Sequence, residues 1–297
     1  MKRFLKIIAA LVAVLAIVYF LGPKPAAPNY NNNLIQVPSD PAALEAFIRS
    51  KEAAHKVKPD NEARIVWAND STKAKTPYVI VYLHGFSASQ EEGNPVHRNI
   101  AKQFGCNMYL ARLSEHGIDT IDPLVNMTAT SLWESAKEAY AIGKQLGDKV
   151  ILMGTSTGGT VALELASNFE DVAGLVLYSP NIAINNPSAF LTNNPWGLQI
   201  ARMVIGGKEN IIKNKPDNYK KYWNDHYRLE AVVELQELLE TTMIPSHFNK
   251  IKCPLLTLYY FKDEKNQDPV VKVSAMKEMF AAVATPANLK RMVAIPE

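Results

Sequence analysis

The sequence predicts an α/β fold: a mostly parallel sheet with helices on both faces, interrupted by a long strand-poor segment, which in the family resembled below carries a helical cap. Three observations carry this. Apolar runs of strand length at residues 78–83, 108–111, 172–178 and 253–260 alternate with helix-length segments, which is the rhythm of βα units. A further strand at residues 149–154 runs directly through a Gly/Ser turn into an apolar helix starting near Gly159. Between residues 179 and 250 the rhythm breaks into Asn/Pro-rich turns and helical stretches with no good strand.

Taken in order, Met1-Lys-Arg-Phe-Leu-Lys6 leads into an uncharged run over residues 7–21. Charge followed by a continuous apolar run reads as a signal peptide or an uncleaved anchor. The absence of a clean Ala-x-Ala cut site before Gly22-Pro23 favours the anchor. Residues 1–22 are thus assigned to the membrane, with Lys2, Arg3 and Lys6 inside. The rest of the chain then lies on the extracytoplasmic side, the alternative being a secreted or periplasmic protein. Residues 23–38 form a Pro/Asn linker. Ser39-Asp-Pro-Ala-Ala begins a helix running toward Glu52, since a capping side chain followed by Pro in the first turn is a start signal. Residues 64–67 make an early strand, and residues 95–104 and 131–146 make helices. The core is therefore expected over residues 39–178 and 251–297, with the cap at 179–250. In the cap, helices are expected around Pro195 to Ile205 and from Leu229 to about Thr242. Trp196, Met203, Tyr222, Trp223 and Tyr227 are candidates to line a pocket there, or to pack the cap on the core.

The chemistry is concentrated at Gly154-x-Ser156-x-Gly158. By itself this pattern arises by chance in roughly one chain in ten of this length; a buried strand before it and an apolar helix after it make it specific. A sharp strand-to-helix turn lifts the Ser156 hydroxyl clear of the sheet and turns the Thr157 amide and helix N-terminus toward any oxyanion formed there. A P-loop is excluded, because the Lys-Ser/Thr ending is missing.

Upstream, the strand at residues 78–83 ends in His84-Gly-Phe-Ser-Ala-Ser89. With the Ser156 turn, this resembles the α/β-hydrolase superfamily, in particular its lysophospholipase, monoglyceride-lipase and serine-aminopeptidase-like branch. The resemblance implies an oxyanion hole made by the backbone amides of Phe86 and Thr157, and a structural role for His84 in its loop. It also implies that Arg112-Leu-Ser-Glu-His116-Gly117 is the Gly-His-Gly-type loop, with Glu115 departing from the usual Gly and His116 shaping the loop. Asp268-Pro-Val-Val, followed by a helix opening near Ala275, matches the register of the acid. Asp263 lies nearer the strand end and competes with it. Choosing Asp268 requires a short insertion.

In this fold the triad runs Ser, acid, His. No histidine follows Asp268. Residues 290–295 read as the last strand and Pro296-Glu297 as the opening of the histidine loop. The expectation is that the natural polypeptide continues past Glu297 into that loop and a closing helix; the alternative is a protein that is not a working hydrolase. Loss of a triad histidine costs on the order of a million-fold in turnover, roughly 8 kcal/mol. The 297-residue chain alone is expected to be nearly inactive and to expose sheet that invites aggregation.

The expected function is hydrolysis of small-molecule carboxylic esters, lipid-like ones given the membrane segment, through an acyl-enzyme on Ser156. The alternatives are peptide or amide hydrolysis, or a non-catalytic binder on the same scaffold. With 47% hydrophobic residues and a net charge of +3, neither disorder nor a nucleic-acid-binding face is indicated. No cofactor and no metal site are expected. Cys106 and Cys253 are expected to be unpaired and mostly buried, because in the strand order that the resemblance implies several strands at about 4.8 Å each separate them.

Overall fold

A computed structural model describes residues 1–216 and 218–296; Glu297, where the expected histidine loop opens, lies outside the described residues. Helix α1 (Lys2–Phe20) and helix α2 (Pro41–Ala53) precede strands β1 (Arg64–Val66) and β2 (Thr76–Leu83). Helix α3 (Val96–Gln103), β3 (Asn107–Leu110), α4 (Ala129–Leu146), β4 (Gly147–Thr155), α5 (Thr157–Asn168) and β5 (Val172–Tyr178) complete the first part of the core. The cap comprises α6 (Gly197–Ile205), β6 (Glu209–Ile211), α7 (Tyr219–Tyr222), β7 (His226–Arg228) and α8 (Leu229–Thr242). The chain returns through α9 (Pro245–Phe248), β8 (Leu255–Tyr260), α10 (Val273–Ala282) and β9 (Lys290–Ile295).

The main sheet has seven strands in the order β1-β3-β2-β4-β5-β8-β9. Only β1 runs antiparallel to its neighbour. Period-2 alternation sends Val79, Val81 and Leu83 of β2 to one face, against Trp133, Tyr140 and Ile142 of α4, while Ile80 and Tyr82 join Met108, Leu110 and Met153 on the other. The continuous apolar run is thus buried on both faces of the sheet from Val79 to Leu83, and the sheet aims the carboxyl ends of β2, β4 and β8 at one rim, where parallel sheets carry their chemistry.

The structure corrects two expectations. The cap does contain strands: β6 and β7 pair antiparallel, Glu209 opposite Arg228. Each is three residues long, too short for a period-2 signal. Helix α5 begins at Thr157 rather than near Gly159. Cys106 and Cys253 are both free, with Cys106 buried and Cys253 only half-buried, and β2, β4 and β5 lie between their strands.

Residues 23–38 are stitched to the core. Asn31 Oδ1 and Asn33 O accept from Lys137 Nζ at 2.8 and 3.0 Å, and Asn31 O accepts from Trp133 Nε1 at 2.8 Å. Lys137 is 1% exposed. A buried ammonium requires such partners, because desolvating it unpaired costs several kcal/mol. Helix α1, by contrast, is apolar (mean hydropathy 2.3) and wholly exposed, and is long enough to cross a membrane.

Candidate active site

Ser156 stands alone between β4 and α5 with φ 49° and ψ −115°, backbone angles costly for a residue with a Cβ. Surrounding bonds hold it there: Ser156 N–H donates to Tyr178 O at 2.9 Å, and Ser156 O accepts from Thr160 N at 3.1 Å and Asn181 N at 3.0 Å. The flanking glycines are required. A Cβ on Gly158 would lie 1.9 Å from Leu83 O, and one on Gly154 would lie 2.5 Å from Gly158 O. The backbone leaving β2 thus presses directly on the first turn of α5.

That contact brings together the two loops that carry Phe86 and Thr157. Among the described residues, neither of their backbone N–H groups donates to a protein acceptor. For Thr157 this is the ordinary state of a helix's first turn. Unpaired amides near a serine hydroxyl are what an oxyanion would require. The Phe86 ring meets Tyr227 edge-on at 4.9 Å and His116 at 6.0 Å.

A carboxylate not anticipated from the sequence supports the Phe86 loop from behind. Glu92 Oε2 accepts from Gly85 N at 2.6 Å and lies 3.5 Å from Tyr82 Oη, and the Trp223 indole also bonds it. Tyr82 Oη in turn lies 2.9 Å from Thr155 Oγ1, one residue before Ser156. Although Glu92 keeps some surface in solvent, its carboxylate oxygens turn inward, and burial pushes its pKa up to about 7 against the hydrogen bonds that oppose the shift. The signal in the sequence was a Glu91-Glu92 pair just past an apolar strand.

The histidines are committed elsewhere. His84 Nδ1 donates to Gly85 O at 2.9 Å and its Nε2 accepts from Leu113 N at 3.0 Å, so it ties the β2 and β3 loops together. Burial holds its pKa well below the usual value. His116 is buried, its Nδ1 donating to Ser114 O at 2.8 Å, and burial lowers it to about 4. His97 bonds Gln90 O, His226 bonds Asp225, His247 bonds Glu164 and His55 is exposed. Among the described residues no histidine is hydrogen-bonded to Ser156 or Asp268.

After β8, Phe261 pairs with Gln267 across an antiparallel bridge, so the intervening residues form a small hairpin. Asp268 N then donates to Tyr260 O at 3.2 Å, which returns Asp268 to the end of the strand. This hairpin places Asp268, rather than Asp263, beside the end of β8. The carboxylate accepts from Val270 N at 2.9 Å and Val271 N at 3.1 Å. Asp263 is exposed at the hairpin tip, where hydrogen bonds from Asn266 hold its pKa below the usual range.

Of the cap aromatics, Tyr227 lines a cavity of about 400 Å³ between α6 and α8, with Ile184, Leu191, Ile200, Val204 and Leu229. The other four do not line it: Tyr222 donates to Asp60 at 2.7 Å, Trp223 bonds Glu92, Met203 is 81% exposed and Trp196 contacts α1. The structure supplies no group of three or more His, Cys, Asp or Glu side chains able to hold a metal ion among the described residues.

Residues 129–296, more than half of the chain, match the family model described as serine aminopeptidase, S33. The chain belongs to this family. The match spans Ser156, Thr157 and Asp268 but not Phe86. Among curated relatives of this S33 protein is the thermostable monoacylglycerol lipase of Bacillus sp. (strain H-257), 28% identical over 196 residues, covering 65% of this chain and 72% of that one. Among solved structures, one described under LipS and LipT, two metagenome-derived lipolytic enzymes, has a TM-score of 0.64 at 18% identity, covering 80% of this chain and 89% of that one. The monoacylglycerol lipase of Paleococcus ferrophilus has a TM-score of 0.56 at 16% identity, covering 79% and 88%. At such identities the structures speak for the α/β-hydrolase fold.

Proposed function

We propose that this S33-family protein is a serine hydrolase of carboxylic esters, acting through an acyl-enzyme on Ser156. The observation that carries the reading is the strained Ser156 backbone with the unpaired Phe86 and Thr157 amides beside it. In the proposed reaction the Ser156 oxygen attacks the ester carbonyl, the two amides hold the oxyanion, the alcohol leaves with a proton, and water then releases the acid. Asp268 orients the base. By the family resemblance that base is a histidine.

Esters are favoured over peptides by the apolar cavity behind Tyr227 and by the lipase among the relatives. We place α1 in a bilayer with Lys2, Arg3 and Lys6 on the inner side and the catalytic domain outside; this makes lipid-like esters the leading substrates. A fluorophosphonate probe tests the reading on a chain whose β9 leads into a histidine-bearing loop. Labelling that disappears in Ser156→Ala supports it. A folded, unlabelled protein overturns it in favour of a binder, and faster turnover of aminoacyl anilides than of acyl esters would favour the peptidase alternative.

A further inference from the structure

The end of α1 and the cap are joined by two hydrogen bonds. Trp196 Nε1 donates to Val18 O at 2.9 Å, and Trp196 N donates to Pro23 O at 2.9 Å. Carbonyls in the last turn of a helix have no partner within it; the indole supplies one for Val18. Trp196 adopts a left-handed backbone, φ 66°, where it makes these bonds. The first residue of α6 follows immediately.

Length then sets the level of this junction. The 19 residues of α1 span about 28 Å at about 1.5 Å per residue, close to the roughly 30 Å of a hydrocarbon core. A helix of that length entering at Lys2 ends at the opposite interface. Tyr19, Phe20 and Trp196 all cluster there and are all exposed, as aromatic residues are at membrane interfaces.

From Trp196, α6 turns apolar side chains outward: Ile200 is 46%, Met203 81%, Val204 78% and Ile205 52% exposed. On the neighbouring β6, Ile211 is 62% exposed. Soluble surfaces rarely leave so many large apolar groups contiguous. Around them Lys24, Lys208, Lys213 and Lys215 are exposed, and none is in an ion pair among the described residues; Lys215 lies over the Tyr219 ring. An apolar face with a basic rim matches an anionic lipid surface.

We infer that α6 and Ile211 lie in the headgroup and upper acyl region of the leaflet in which α1 ends, so that the cap rests on an anionic phospholipid bilayer. The inference builds on the placement of α1 in a bilayer given under Proposed function. It also specifies how substrate reaches the site. Ile200, Val204 and Ile205 belong both to this outward face and to the lining of the cap cavity, whose Tyr227 abuts Phe86. An acyl ester dissolved in the membrane passes laterally into the cavity without crossing water.

The test uses the full chain reconstituted in vesicles of anionic phosphatidylglycerol with phosphatidylcholine brominated on its acyl chains. Single cysteines carrying bimane are placed, in a Cys106→Ser, Cys253→Ser background, at Val12, Met203 and, as an aqueous control, Asp148 at the amino end of β4. Quenching at position 203 at least threefold above that at 148, weaker when phosphatidylglycerol is omitted, is the expected result. Quenching at 12 without quenching at 203 overturns the cap inference and leaves the anchor standing. Quenching at 203 without quenching at 12 sinks the anchor and keeps a peripheral cap. If neither is quenched, both fail, and crosslinking through 203 to a second copy would assign the face to self-association. Should the cysteine-free background misfold, deuterium uptake of residues 198–211 in the unmodified chain, with and without vesicles, gives the same decision: at least threefold slower exchange supports contact, and unchanged exchange refutes it.

Discussion

The nucleophile elbow and the cap differ in how tightly the fold dictates their residues. At the elbow, the backbones leaving β2 and β4 and entering α5 meet so closely that a methyl group on Gly158 would stand 1.9 Å from Leu83 O. In the cap, α6 presents Met203 and Val204 almost fully outward, so many side chains satisfy its internal packing. The backbone fixes the turn at Ser156, whereas the outward face of the cap is left free to vary.

The contrast is sharpened first by the largest effect. Ser156→Ala should abolish fluorophosphonate labelling while circular dichroism stays unchanged, because the alanine inherits only the backbone. Next, Gly158→Ala should destabilise the chain by about 3 kcal/mol or more, since it drives a Cβ into a backbone carbonyl with no flexible group to yield. Urea unfolding would measure it, and a loss under 1 kcal/mol would break the picture of a tightly determined elbow.

Glu92→Gln gives a smaller, pH-dependent effect. The native pKa of Glu92, about 7, lies above the ordinary carboxylate value, so the folded state binds the proton more tightly than the unfolded one. Stability from this group is complete at low pH and falls as pH rises from about 4.5 through 7. The variant should therefore be more stable than the parent by roughly 1–3 kcal/mol at pH 8 and indistinguishable at pH 4. Melting temperatures of both proteins at the two pH values decide it; a gain of equal size at both would assign the effect to packing. Smallest of all, Met203→Asp should change stability in detergent-free buffer by no more than about 0.5 kcal/mol. A loss as large as that of Gly158→Ala would erase the distinction between the two regions.

The same contrast explains what was legible in the sequence. Ser156 was readable because a strand, two glycines and an apolar helix occur together for one geometric reason. Residues 229–242 and 290–295 were readable as a helix and a strand because their apolar spacing is long enough to show a period. The cap strands β6 and β7 were not, since three-residue strands exist only through each other's pairing. Glu92 was missed for a related reason: a glutamate in a loop looks solvated until Tyr82, ten residues before it, and Trp223, far along the chain, close over it. In the sequence, register alone favours Asp268 over Asp263, and the Phe261–Gln267 bridge is what brings Asp268 back to the end of β8 while leaving Asp263 at the hairpin tip. The route from α1 through Trp196 to α6 leaves no sequence signature at all, because its decisive contact is a hydrogen bond between residues 178 positions apart.

The seam between residues 29–33 and α4 has a mechanical consequence. With Asn31 and Asn33 clasping the Lys137 ammonium inside the protein and Pro23 O held by Trp196 N, only the short stretch from Lys24 to Pro28 is left as slack between α1 and the core. A loose leash would let the catalytic body swing through a wide cone. This mooring, fastened at Lys137 and again at Trp196, limits its tilt, so the mouth of the cavity keeps one bearing relative to the axis of α1.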